Sequence, residues 1–263
     1  MYVFPLTILN EIKRQTPLFS SSSPISKIAS ECFCEIAVSL TTGSIVCLFN
    51  AHPFGLALIV HSLALQIIMN TTTRCVRESM KSDQDSLRNK KIDWIANRIC
   101  AISFAFRTMR LLETLIHELG HALAATNLYK NARVFIEIYP FEGGTTSYSI
   151  SHLNSLGCII GKTQARFFTT ISGPLLSLVF SSILLKASTQ IKKDTPQLSY
   201  YLESSALMNF YTNANYAFSA LKAPLELSHD FVYLSAVGIH PLVATIIIIA
   251  IPIFILKTGS MNT

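Results

Sequence analysis

Four long stretches of this chain contain no Asp, Glu, Lys or Arg: Ile36 to Thr73, Phe167 to Leu185, Ser204 to Leu221 and Phe231 to Leu256. A helix crosses the hydrocarbon of a bilayer with roughly 20 residues. Four uncharged runs of this order are hard to hide inside a soluble core, whereas lipid accommodates them directly. The last run holds LVATIIIIAIPIFIL from Leu242 to Leu256, and Lys257 closes it. The first run is too long for one crossing. The turn-like Asn50-Ala51-His52-Pro53 divides it into a helical hairpin of about 17 residues per arm.

Composition agrees. Only 14% of the 263 residues are charged, against about 25% in soluble domains. Disorder, collagen and coiled coil need polar, Gly/Pro-rich or charged heptad sequence and are excluded. The expected fold class is all-α, a multi-pass membrane protein with about six transmembrane helices.

The net charge of +6 would suit nucleic acid, but its distribution argues against that partner. Arg74, Arg77, Lys81, Arg88, Lys90, Lys91 and Arg98 gather in one linker, and Lys192 and Lys193 in another. Loops rich in Lys and Arg stay on the cytoplasmic side. Six crossings with both linkers inside place both termini inside too. The expected division is an amino-terminal arm (1–35), a transmembrane hairpin (36–70), a basic cytoplasmic linker (71–98), a core (99–257) and a tail (258–263). The six cysteines form no CxxC pair and no zinc-ribbon spacing.

Within this apolar chain, His117-Glu118-Leu119-Gly120-His121 has the pattern H-E-x-x-H. On a helix, positions i and i+4 share a face, so both imidazoles can bind one zinc ion. Glu118 sits beside the first ligand and can act as general base toward a zinc-bound water. The flanking Leu and Ala residues favour the helix that this spacing requires. Ionisable groups in an apolar helix are costly in lipid, so they mark a functional site. The bland alternative is a pair of core histidines bonded to nearby carbonyls.

A catalytic zinc takes three protein ligands and leaves a fourth position open. The extended soluble pattern H-E-x-x-H-x-x-G-x-x-H fails, since its Gly and third His positions are Ala124 and Asn127. Downstream candidates are Glu137, Glu142, Asp194, Glu203, His229 and Asp230. Asp230, at the start of the last apolar run, is best placed to lie at membrane depth while facing protein. Its alternative role is a helix cap or boundary charge, and His229 competes as ligand.

The segment HELGHALAA (His117 to Ala125) resembles the zinc helix of the site-2 protease family of intramembrane metallopeptidases, in particular its compact bacterial-type members without a PDZ domain. VFIEIYPFEGGTT (Val134 to Thr146) resembles that family's hairpin, and ISGPLLS (Ile171 to Ser177) its A-G-P-L helix start. Asn215 to Asp230 occupies the place of its Asp-Gly element. Together the match covers about Met109 to Val237. The resemblance implies Zn²⁺ held by His117, His121 and Asp230, catalysis by Glu118, and a membrane protein as substrate in the bacterial inner membrane. In place of Asp-Gly the chain reads Ser228-His229-Asp230-Phe231, which leaves open a catalytically inactive relative acting as a scaffold. A transporter or channel using the His and Glu residues as an ion path is a further alternative.

Three more segments carry expectations. Val134, Ile136 and Ile138 alternate with Phe135, Glu137 and Tyr139, the period of a strand with unlike faces, and Gly143-Gly144 gives turn freedom. A small β hairpin after the zinc helix follows, with an edge that could pair an extended substrate. Gly173-Pro174 reads as a helix start or kink, or as a break that lets its helix approach the zinc helix. Asn213 and Asn215 could donate to a developing oxyanion, or simply bond a neighbouring helix. The expected partners are a membrane protein substrate and membrane lipid, with no nucleic acid.

Overall fold

The computed structural model describes residues 24–49, 53–82, 85–139, 143–149, 152–222 and 229–260. Of the residues singled out above, Asn50 to His52, Glu142 and Ser228 lie outside the described residues. Helix α1 (Pro24–Phe49) and helix α2 (Pro53–Ser79) form the amino-terminal hairpin, divided where the sequence reading divides it. Helix α3 (Ser86–Phe104) follows, and a five-residue π turn (Ala105–Met109) leads without a break into α4 (Arg110–Leu128). Strands β1 (Val134–Tyr139) and β2 (Gly143–Tyr148) come next, then a short α5 (Ser155–Ile160). The long α6 (Lys162–Ile191) and α7 (Pro196–Ser219) pack side by side, followed by α8 (Asp230–Ala236) and α9 (Pro241–Ser260).

Local chemistry sets several boundaries. The Asp85 carboxylate accepts from the backbone N–H of Arg88 at 2.8 Å, capping α3. The Asn154 side chain caps α5 through the N–H of Gly157 at 2.9 Å. Pro196 opens α7, where its missing N–H has no intrahelical partner to lose. Gly173-Pro174 lies inside α6 and starts no helix. The last apolar run is likewise divided, with α8 and α9 separated by a turn at the positive-φ Gly238.

The strands pair antiparallel, with Val134 opposite Tyr148 and Ile138 opposite Gly144. The expected alternation is present in β1: Ile136 and Ile138 are buried, while Phe135 is exposed. Gly143 and Gly144 open β2. Ile136 and Ile138 join Val46, Ile59, Leu111 and Leu115 in a core that ties the hairpin to α1, α2 and α4. A second core of Leu185, Phe210, Phe231, Leu234 and Ile248 joins α6, α7, α8 and α9. The sequence reading left such layers unassigned, because periodicity alone does not say which apolar faces meet.

Among the described residues, α1 (over Ile28–Phe49), α6 and α9 (over Pro241–Thr258) are long and apolar enough to cross a membrane. Ile246, Ile247, Ile249, Ile253 and Phe254 of α9 are all exposed, as a lipid-facing helix requires. Helices α2, α4 and α7 turn polar residues such as Gln66, Glu113 and Asn209 into the bundle.

The linker differs in character from the sequence reading. Its first part continues α2, and Arg74 and Arg77 are only 3% and 2% exposed. Arg74 pairs with Glu35, and Arg77 with Glu31 at 2.9 Å. Gln66 donates to Glu35 at 2.9 Å, and Asn70 donates to the same carboxylate. Tyr201 of α7 reaches Glu35 from the other side at 3.2 Å. These two arginines therefore fasten the two arms of the amino-terminal hairpin to each other, and Arg74 reaches α7 by donating to the Tyr201 hydroxyl at 2.8 Å. The helix of the arm likewise begins at Pro24, earlier than the boundary drawn at 35.

Candidate metal centre

Helix α4 carries His117 and His121 one turn apart, and their rings stand edge to face with centroids 5.0 Å apart. The amino end of α8 brings Asp230 to meet them. Its Oδ2 lies 3.1 Å from His117 Nε2 and 3.2 Å from His121 Nε2. One ligand atom from each residue falls within 4.8 Å of the others. All three side chains are 11–14% exposed.

The atoms around these groups fix their orientation. His121 Nδ1 lies 2.7 Å from the Thr169 carbonyl oxygen. A carbonyl can only accept, so Nδ1 holds the proton and Nε2 presents its lone pair inward. The Tyr216 hydroxyl donates to Asp230 Oδ2 at 3.4 Å and accepts from the Asp230 backbone N–H at 3.2 Å. His229 is occupied elsewhere. Its Nδ1 accepts from the Phe231 N–H at 3.2 Å, its Nε2 lies 2.9 Å from Ser219 Oγ, and its ring stacks on Tyr216 at 4.1 Å.

The donor set suits zinc. Bonds of about 2.0–2.2 Å in a tetrahedron put neighbouring ligand atoms about 3.3–3.5 Å apart. The two His–Asp separations already fall close to that edge. Two imidazoles and one carboxylate leave the open fourth position of a hydrolytic site.

Close packing makes the arrangement possible. Helices α4 and α6 cross at Gly120 and Gly173. A Cβ on Gly173 would clash with the Nε2 edge of the His121 ring, and one on Gly120 would sit 2.8 Å from Gly173 Cα. The expectation that α6 closes on the zinc helix here matches this crossing, although glycine allows it and Pro174 sits within a continuous helix.

Strand β2 covers Glu118. The Thr146 hydroxyl donates to Glu118 Oε2 at 2.6 Å. A Cβ on Gly144 would sit 2.7 Å from Glu118 Cγ and 2.9 Å from Thr114 Cγ2. Glu118 itself is 5% exposed, beside a cavity of about 100 Å³ that His117, Gly144, Asn213 and Tyr216 also line.

The other candidates lie apart from the centre or are engaged elsewhere. Glu137 accepts from the Tyr139 hydroxyl at 2.7 Å, and Glu203 lies 3.8 Å from Arg98. Asp194 sits in the turn after α6, and Asn215 is exposed. Asn213 lines the cavity but does not turn a donor toward it. Its amide nitrogen, with two N–H groups, lies 2.9 Å from Glu113 Oε1, 2.8 Å from Ser177 Oγ and 2.9 Å from the Asn209 carbonyl.

Sequence reasoning missed Thr146, Thr169, Tyr216 and Glu113. Glu113 had a signal, since it is a second carboxylate in the zinc helix at i−4 from His117. The other three act across elements, and nothing local marks them.

A family model described as Peptidase M50B-like matches residues 93–256, more than half of the chain. The chain belongs to that family, and with it to the site-2 protease family of membrane-embedded metallopeptidases, whose M50 members are generally zinc-dependent. No curated protein and no solved structure matches the chain.

Proposed function

We propose that this chain is a zinc-dependent intramembrane endopeptidase that crosses the bacterial inner membrane about six times. Its substrates are membrane-spanning or membrane-anchored proteins, cut within or near the bilayer. The observation that carries this reading is the meeting of His117, His121 and Asp230 within 4.8 Å, with Glu118 beside them. His117, His121 and Asp230 would hold the metal. When bound, zinc supplies Lewis acidity that acidifies a water and polarises a carbonyl.

Glu118 carries the proton. Thr146 holds Oε2, so Oε1 is the atom that takes a proton from the attacking water and returns it to the leaving amine. Tyr216 and the Thr169 carbonyl keep Asp230 and His121 in register. The hairpin over Glu118 excludes bulk water and leaves strand backbone for an extended substrate segment.

The test uses the detergent-purified full chain, reconstituted in liposomes with a panel of single-span reporter proteins. The wild type should cut reporters, and Glu118→Gln should cut none while keeping about one zinc per chain. Equal cleavage by Glu118→Gln would overturn the assignment. Zinc retention with no cleavage by the wild type would favour an inactive relative.

A further inference from the structure

The cavity beside His117 and Glu118 extends along α4 toward Arg110, which lines it with Glu113 and Asn213. Glu113 is 1% exposed and does not itself offer a free carboxylate. Its Oε1 accepts from Ser177 Oγ and from Asn213 Nδ2, and its Oε2 accepts from Arg110 Nη1 at 2.5 Å. The carboxylate thus holds two cavity-lining side chains in fixed orientations.

Those orientations define what the far end of the cavity can bind. The two N–H groups of Asn213 face three acceptors, and turning the amide over would set its oxygen against a carboxylate and a carbonyl. With Nδ2 so engaged, Oδ1 is the polar atom that Asn213, a lining residue, has left to offer. Arg110 commits one edge of its guanidinium to Glu113, and its side chain is 26% exposed. Its fork carries further N–H donors. The far end therefore pairs donors with an acceptor, and Arg110 and Glu113 cancel in charge. That combination suits a neutral group bearing both a C=O and an N–H, which is a peptide main chain. A second carboxylate would fit poorly beside Glu113 and Glu118.

Position sets the register. Arg110 precedes His117 by two helical turns, about 10 Å along the axis. An extended peptide covers that distance in about three residues. We propose that Arg110 and Asn213, positioned by Glu113, clamp the substrate main chain about three residues from the scissile bond. This rests on the peptidase reading above. It makes recognition at that distance independent of side-chain identity, and it requires the substrate to be unwound there.

Zinc-binding hydroxamates test the clamp without a known substrate. Acetohydroxamate and peptide hydroxamates carrying one to four residues on either side would be titrated into the zinc-loaded, detergent-purified chain. For the wild type, affinity should rise about tenfold at the third residue on one side. Arg110→Gln should lose that step while binding acetohydroxamate unchanged. In the wild type, N-methylation of the third amide should remove the same step, and N-methylation of the fourth should not.

Equal increments in wild type and Arg110→Gln, or an equal cost of N-methylation at every position, would overturn the clamp. If acetohydroxamate fails on the zinc-loaded wild type, the metal reading falls first. If Arg110→Gln disturbs the fold and acetohydroxamate binding is lost with it, the N-methyl series on the wild type decides.

Discussion

Asp230 Oδ2 stands 3.1 Å from His117 Nε2, although 113 residues separate the two along the chain. The histidine is placed by an amphipathic helix and the aspartate by the first residue of a seven-residue helix, so the contact depends on how α6 and α7 seat α8 against α4. Replacing Asp230 should therefore act on metal binding rather than on folding. Asp230→Asn should lower zinc affinity by at least tenfold, and Asp194→Asn should leave it unchanged. Competition with a chelator of known affinity, run on both variants, measures the difference.

Tyr216 holds the carboxylate of Asp230 from behind. Groups in that position are worth 10–100-fold in metal affinity. Tyr216→Phe keeps the ring stacked on His229 and removes only the hydroxyl. Zinc affinity should fall by about tenfold, read in the same competition assay. An unchanged value would mean that the backbone alone positions Asp230.

Much of this was legible in the sequence, and the limits have physical causes. The H-E-x-x-H spacing places His117 and His121 on one face because helical period is a local property. Asp230 could be named because a charge opening an apolar run is expensive without a partner. What meets Asp230 is a matter of tertiary packing. Thr169 contributes through its carbonyl, an atom common to every residue, so no residue type announces it. Arg74 and Arg77 have partners that the linker reading did not name. As linker charges they read as topology signals, yet Glu31 and Glu35 lie one helix earlier and draw both into the bundle.

The α4–α6 crossing gives a steric prediction. Gly173→Ala would drive a methyl group against the Nε2 edge of the His121 ring. The variant should lose most of its zinc while keeping its helical circular dichroism, since α6 itself tolerates alanine. Retention of full zinc would show that the two helices part without cost.

The Thr146 hydroxyl tests the role proposed for Glu118 separately from the metal. Thr146→Val removes the bond to Glu118 Oε2 and keeps the side-chain volume. Turnover of a reporter should fall by about tenfold, as one hydrogen bond to a charged group implies, with zinc content unchanged. Loss of zinc in this variant would instead assign Thr146 to the fold of the site.

The pair Arg74–Glu35 predicts an asymmetry in stability. Removing Arg74 leaves the buried Glu35 carboxylate without its counter-ion and costs about 3–5 kcal/mol. Arg74→Met should lower the thermal midpoint, and Arg74→Met with Glu35→Leu should recover much of the loss. Thermal unfolding followed by tryptophan fluorescence, from Trp94, compares the two.

The proposed site requires His117, His121 and Asp230 to hold one zinc ion for Glu118 to work beside. Metal analysis of the detergent-purified chain tests it most directly. The expected result is about one zinc per chain in the wild type and in Glu118→Gln, and a loss of zinc in His117→Ala and His121→Ala. Metal-free wild-type protein, or full zinc in both histidine variants, would contradict it.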